Sequence, residues 1–322
     1  METTLMNRKI SRNRKLRGDG SVRVKTGGQW LIKLLQKKDV QFVFGTTGAG
    51  MPDIQDAMVV EKPPKWIQGL HEFVSISAAA GYALASGREG VALIDRIVGT
   101  QNAVGAFYGA YMNCSPTVIF ASSNVPGVPM ETGAVELHFS SHQSLMVAPW
   151  VKWSTQVNSL ETLPEDIDKA FFMALSETTG PVYVTLRQDL MARRISRGRI
   201  SQNFRPFISR TVPDDETIEK IIKELLSHNH PEVLVSHLGR NPDAVGSLIE
   251  FAHAFGVSVK ERRFFMNYPT VDSLHLGFVS RYTPPQLSRA TDLVIALETG
   301  LLPHQGFGEK NDENDLAGAP FH

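Results

Sequence analysis

Several features are scarce or missing in this 322-residue chain, and each absence removes a class of function. Cysteine occurs once, at Cys114, so no intrachain disulfide can form and a reducing, cytoplasmic compartment is expected. Net charge is absent: 33 basic residues balance 33 acidic ones, so no global field recruits nucleic acid or a membrane surface. No apolar run approaches the ~18 residues that suggest a spanning helix. No His and acidic residues recur at metal-ligand spacing, so no metal site is expected within the chain. What remains is an ordinary globular composition, 42% hydrophobic and 8% aromatic, long enough for two domains with proper cores.

Charge is uneven only at the start. Arg8, Lys9, Arg12, Arg14, Lys15, Arg17, Arg23 and Lys25 oppose just Glu2 and Asp19. Residues 1–26 read as a solvated, disordered tail, with a transit peptide or polyanion-binding arm as alternatives. From Gly27 short β-rich runs alternate with helical ones. "VQFVFGTT", "KWIQGL", "VALIDRIV", "PTVIFASS", "VKWSTQV" and "PVYVTLRQD" are the strands; "PDIQDAMVV", Glu72 to Ser86, "GTQNAVGAFYGAYMN" and "LPEDIDKAFFMALSE" are the helices. Apolar strands alternating with helices predict an α/β fold with a parallel sheet covered on both faces, over 27–194.

The basic, proline-punctuated stretch 195–213 reads as a linker. A second, smaller α/β domain follows over 214–322. It begins with a helix carrying Ile218, Ile221, Ile222 and Leu225 on one face. "PEVLVSHLG", "VSVKERR" and "ATDLVIAL" are its strands and "PDAVGSLIEFAHAFG" a helix. The polar end, "EKNDENDLAGAPFH", offers no closing element, and the domain is expected to be incomplete at its C-terminus. The fold class is thus two parallel-sheet, three-layer α/β domains.

Ligands of open α/β sheets bind beyond the carboxyl ends of the strands. Three turns sit there: "FGTTGAGMPD", "GLHEF" and "IVGTQN". Gly48 and Gly50 invite a dinucleotide reading, and with it an oxidoreductase. Asp53 occupies the third glycine position, however, where it caps a helix but repels a pyrophosphate. Glu72 opens a helix of small residues, Ser75, Ala78, Ala79 and Gly81 among them. Taken alone it is an acid favoured by the helix dipole.

The stretch "LHEFVSISAAAGYALASGREGVALIDRIVGTQNAVGAFYGAYMNCSPTVIFA" closely resembles the pyrimidine-binding domain of thiamine-diphosphate-dependent enzymes. The benzoylformate decarboxylase and acetolactate synthase group is the nearest. The resemblance runs from about Gly27 to Arg194. It continues into the family's central domain, a degenerate nucleotide-binding fold, through "VKERRFFMNYP" and "DLVIALETGLLP". It implies that Glu72 is the acid that hydrogen-bonds the cofactor's aminopyrimidine and drives its tautomerisation. Apolar neighbours would raise the pKa of such an acid, and small helix residues would keep water out. Gly99, Thr100 and Asn102 match the cofactor-side turn; Thr47, Asp95 and Gln143 fall on the substrate side, and His138 and His142 read as surface residues.

The resemblance also has departures. Asp95 replaces the His of benzoylformate-type members, Arg96 adjoins it, and Ile97-Val98-Gly99 replaces the G-P-G of acetolactate-synthase-type members. The G-D-G…Asn domain that holds the diphosphate and magnesium in the family is not found after Asp292, and Gly18-Asp19-Gly20 is a chance match in the tail. "SHLGRNPDAVG" lacks G-x-G-x-x-G, so flavin is not expected. The resemblance therefore implies part of a 2-oxo-acid decarboxylase or carboligase. A homodimer, or a partner chain carrying the diphosphate-binding domain, would complete it. A non-catalytic interaction or regulatory module is the alternative.

Overall fold

A computed structural model describes residues 20–124, 143–200, 212–262, 265–279 and 290–299. The basic residues before Gly20, His138, His142, the middle of the expected linker and the polar end all lie outside them. The chain forms two compact units, Met1–Ser209 and Arg210–His322.

In the first unit the elements run β1 (Ser21–Arg23), α1 (Gly27–Lys37), β2 (Phe42–Gly45), α2 (Pro52–Val60), β3 (Lys65–Gln68), α3 (Glu72–Ser86) and β4 (Gly90–Ile94). Then come α4 (Arg96–Asn102), α5 (Val104–Met112), β5 (Thr117–Ser123), β6 (Trp153–Val157), α6 (Leu163–Leu175), β7 (Val182–Arg187), α7 (Gln188–Ala192) and β8 (Arg197–Arg199). Six strands make one parallel sheet in the order β3-β2-β4-β5-β7-β6. Alternation along the central strands supplies both covering layers. Val91 and Leu93 face the core formed with α1, α2 and α6, while Ala92 and Ile94 face the core formed with α3 and α5. One cross-sheet row, Ala92–Ile119–Tyr183, lies in that second core.

The chain passes from β2 outward to β3 and then crosses to β4 on the other side of β2. The order of the sheet therefore reverses between β2 and β4, and their carboxyl ends flank a crevice.

Three sequence expectations need revision here. The strand expected over 91–98 ends at Ile94, because Arg96 takes φ 49° and turns the chain into α4. The helix expected from Gly99 is two helices, α4 and α5. The inner end of the expected tail and the start of the expected linker pair with each other. Ser21–Arg23 runs antiparallel to Arg197–Arg199, and Trp30 Nε1–H donates to the Arg199 carbonyl at 2.8 Å. These strands are short and charged, which is why composition alone reads them as irregular. Helix α1 carries much of the first core but was not singled out in the sequence.

In the second unit, α8 (Asp215–Ser227), β9 (Pro231–Val235), α9 (Pro242–Phe255), β10 (Ser258–Glu261), β11 (His275–Phe278) and β12 (Leu293–Leu297) build a parallel sheet in the order β11-β10-β9-β12. Strand β11 is an addition to the sequence reading; the glycine inside "HLGF" hides it. Leu225 of α8 is buried, whereas Ile218, Ile221 and Ile222 remain exposed. No helix among the described residues is long and apolar enough to cross a membrane.

Candidate functional site

Glu72 is the first residue of α3. His71 caps that helix, its Nδ1 accepting the Phe73 N–H at 3.1 Å. Ser75 and Ala79 are buried, and a Cβ on Gly90 of β4 would overlap the Ala79 carbonyl oxygen. The small residues thus bring helix and sheet together, as expected, with one correction. Gly81 has nothing within 4 Å of where its Cβ would lie, so it faces open space.

The Glu72 carboxylate is held from two elements outside its own helix. Thr46, buried just beyond β2, donates from Oγ1 to Oε1 at 3.2 Å, and Asn102 at the end of α4 donates from Nδ2 to Oε2 at 3.1 Å. A Cβ on Gly99 would lie 3.1 Å from Glu72 Cγ and 3.3 Å from Oε1, so glycine there gives the acid its room. Each oxygen takes one donor and keeps lone pairs for a further partner. The donors are a hydroxyl and an amide, where apolar neighbours were expected. The neighbouring Thr47, expected on the substrate side, is exposed. It lines a groove of about 910 Å³ with Gln55, Trp66 and Gln68, away from the Glu72 hydrogen bonds. Thr46 itself was missed, and its adjacency to Thr47 at the strand end was the available signal.

Thr100 lies between Gly99 and Asn102 but turns inward. Its Oγ1 donates to the Arg96 carbonyl at 2.9 Å and lies 2.7 Å from the Tyr183 hydroxyl. Gln143 Nε2 donates to that hydroxyl at 2.6 Å and approaches Thr100 Oγ1 and the Ser122 carbonyl at 3.3 Å. Gln143 was expected to face the cleft, yet it is buried behind α4. Burial pushes the Tyr183 hydroxyl well above the usual phenol pKa, so it stays protonated and able to donate.

Asp95 is also tied inward. Its Oδ1 accepts from Gly50 N–H at 3.1 Å and from Ser122 Oγ at 2.6 Å, and Ser122 Oγ in turn accepts the Arg96 N–H at 3.1 Å. Cβ atoms on Gly48 and Gly50 would overlap the Asp95 side chain. These glycines therefore make room for a carboxylate, and the Gly50 amide needed to cradle a phosphate is already engaged. That removes the structural basis of the dinucleotide reading. Arg96 is buried; its Nη2 donates to Gln188 Oε1 at 3.1 Å, and its Nε lies 3.9 Å from Asp95 Oδ1. Gln188 Nε2 closes the circuit on the Ala49 carbonyl at 3.2 Å. The structure therefore brings Glu72, Gly99 and Asn102 together and sends Thr100, Asp95, Gln143 and Thr47 elsewhere. Among the described residues, no group of three or more His, Cys, Asp or Glu could hold a metal ion.

Residues 25–127 match the family model of the thiamine pyrophosphate enzyme, N-terminal TPP binding domain. The acetolactate synthase large subunit of Haemophilus influenzae is 25% identical over 280 residues, covering 84% of this chain and 48% of that protein. The mitochondrial acetolactate synthase catalytic subunit of Saccharomyces cerevisiae is 32% identical over 168 residues, 52% of this chain and 24% of that one. Benzoylformate decarboxylase from Polynucleobacter necessarius shares the fold, with a TM-score of 0.68 at 22% identity over 80% of this chain and 47% of that one. The chain thus spans about half, or less, of these relatives' lengths. Within its first unit the chain is thus similar to a thiamine pyrophosphate-binding domain, and the relatives named here by sequence are acetolactate synthases.

Proposed function

We propose that this chain supplies the cofactor-activating part of a thiamine-diphosphate-dependent 2-oxo-acid decarboxylase or acetolactate-synthase-like carboligase, with Glu72 as the acid that engages the cofactor. The observation that carries this reading is the Glu72 carboxylate, held by Thr46 and Asn102 against Gly99 at the crevice between β2 and β4. The residues fit the group. Glu72 is part-exposed, its oxygens keep acceptor capacity, and the exposed Phe73, Val74 and Val98 adjoin the site in sequence as apolar surface for a ring. When bound, thiamine diphosphate supplies the carbon nucleophile that attacks a 2-oxo acid.

The chain's own contribution is proton control at a ring nitrogen. Glu72 holds or passes the proton, and Asn102 and Thr46 keep its carboxylate aimed. The diphosphate and its magnesium would be held by a separate diphosphate-binding domain, which a partner chain would carry, and cytoplasmic placement agrees with the lone Cys114. The surface for such an assembly would be the exposed Leu70, Phe73, Tyr108 and Tyr111. Ala79, Ala83, Ala106 and Phe107 are consumed in the core. Asp95, tied to Gly50 and Ser122, favours a second reading: a fold retained for interaction without turnover.

Glu72→Gln in an assembly completed with a compatible diphosphate-binding domain separates these readings. Exchange of the bound cofactor's C2 proton should slow ~10²–10⁴-fold, as for a lost general acid–base group. Unchanged exchange would make Glu72 a capping acid and the reading wrong.

A further inference from the structure

We propose that Tyr183 is a positioning residue for Glu72: its buried hydroxyl acts through Thr100 to hold α4, so that Asn102 and Gly99 stay against the carboxylate. The inference rests on the role of Glu72 proposed above. In its cross-sheet row Tyr183 lies between Ile119 and Ser154, and its ring meets Phe107 edge-on at 5.6 Å. A phenylalanine would satisfy this apolar packing. The hydroxyl is what needs explaining, because burying it without partners costs free energy.

Its partners form a chain with one direction. Thr100 spends its single hydroxyl proton on the Arg96 carbonyl, so the 2.7 Å bond to Tyr183 takes the phenol's proton. Gln143 Nε2–H then donates to the phenol oxygen. The order is Gln143 to Tyr183 to Thr100 to the α4 backbone.

Helix α4 needs that tie. It has seven residues and no side-chain bond at its N-cap, and a helix so short has little stability of its own. Thr100 faces the network, while Gly99 and Asn102, on either side of it in this stretch of helix, meet Glu72. A change in where Thr100 is held therefore moves the Asn102 amide relative to the carboxylate.

The test reads the side-chain amide resonances of the ¹⁵N-labelled chain without cofactor. Asn102→Ala assigns the Asn102 signal by its disappearance, and Glu72→Gln shows where it moves when the carboxylate is lost. Tyr183→Phe should shift it in the same direction. Thr100→Val should do likewise, and Thr100→Ser, which keeps the hydroxyl chain, should leave it in place. A stability loss alone does not move the resonance of the folded state. An unmoved Asn102 signal in folded Tyr183→Phe overturns the proposal. If that variant does not fold, the same signal in Thr100→Val and Thr100→Ser decides the matter. Failure of the Glu72 reading shows separately, in cofactor exchange.

Discussion

Asp95→Ala should destabilise the first unit by about 3 kcal/mol. In the wild type, Oδ1 accepts the Gly50 N–H and the Ser122 hydroxyl, and it is the nearest counter-charge to the buried Arg96 guanidinium. Removing one partner of a buried pair costs roughly 3–5 kcal/mol, because the other charge stays behind unpaired. Two features favour the low end: the 3.9 Å separation exceeds hydrogen-bond distance, and the Asp95 side chain is 22% exposed, so water can replace part of what is lost.

Asp95→Asn keeps an acceptor for both donors and loses only the charge, so it should cost about half as much, ~1.5 kcal/mol. Arg96→Met on top of Asp95→Ala removes the stranded cation. The double variant should then be less damaged than the sum of the singles by about 1–2 kcal/mol. Urea unfolding followed by tryptophan fluorescence reads this unit selectively, since Trp30, Trp66, Trp150 and Trp153 all lie in it. A cost below about 1 kcal/mol for Asp95→Ala, or equal costs for Ala and Asn, would refute the argument that Asp95 is a structural tie.

Two further outcomes follow from the packing. Gly90→Ala places a methyl on the Ala79 carbonyl oxygen, backbone against backbone. It should cost about 2 kcal/mol or more, read as a lower urea midpoint with an unchanged slope. Because burial raises the pKa of Tyr183, its folded form keeps the proton after the unfolded form has lost it. Stability from this group is complete below about pH 10 and falls as pH rises further, by up to about 1.4 kcal/mol per unit, and Tyr183→Phe should flatten that limb of the profile.

The regular parts of this fold were readable because burial writes them into the sequence. Thr117–Ser123 is buried throughout and rich in β-branched residues. Glu72–Ser86 is bounded by a cap and by Gly87 in the left-handed region, so its limits could be read directly. The strands Ser21–Arg23 and Arg197–Arg199 carry arginines and find each other across most of the first unit, which no local pattern records. At the site, the resemblance names Glu72, Gly99 and Asn102, and the structure brings these three side by side. Side-chain direction is not legible in the motif. Whether Thr46 or Thr47 meets the acid depends on how the chain leaves β2, and whether Thr100 turns out or in depends on the pitch of α4 after its first residue. Tyr183 reads as one more core aromatic in a buried strand; only its hydroxyl's partners, 83 and 40 residues away, distinguish it.

That pitch has a local cause. Between the last residue of β4 and the first of α4 there is only Asp95, and the reversal is made by Arg96 at φ 49°. A non-glycine residue there costs on the order of 1–3 kcal/mol and persists only where its surroundings over-determine it. They do so here: the Arg96 N–H goes to Ser122, its carbonyl receives Thr100, and its guanidinium reaches Gln188. Each tie starts from a different element, β5, α4 itself and α7, so relaxing the backbone at Arg96 would break contacts on three sides at once. The same turn that strains Arg96 carries Gly99 and Asn102 back toward α3, where Glu72 waits. The unusual Asp-Arg pair therefore has a reason that does not depend on substrate. It fixes the first turn of α4, and the first turn fixes how closely the last one meets the acid.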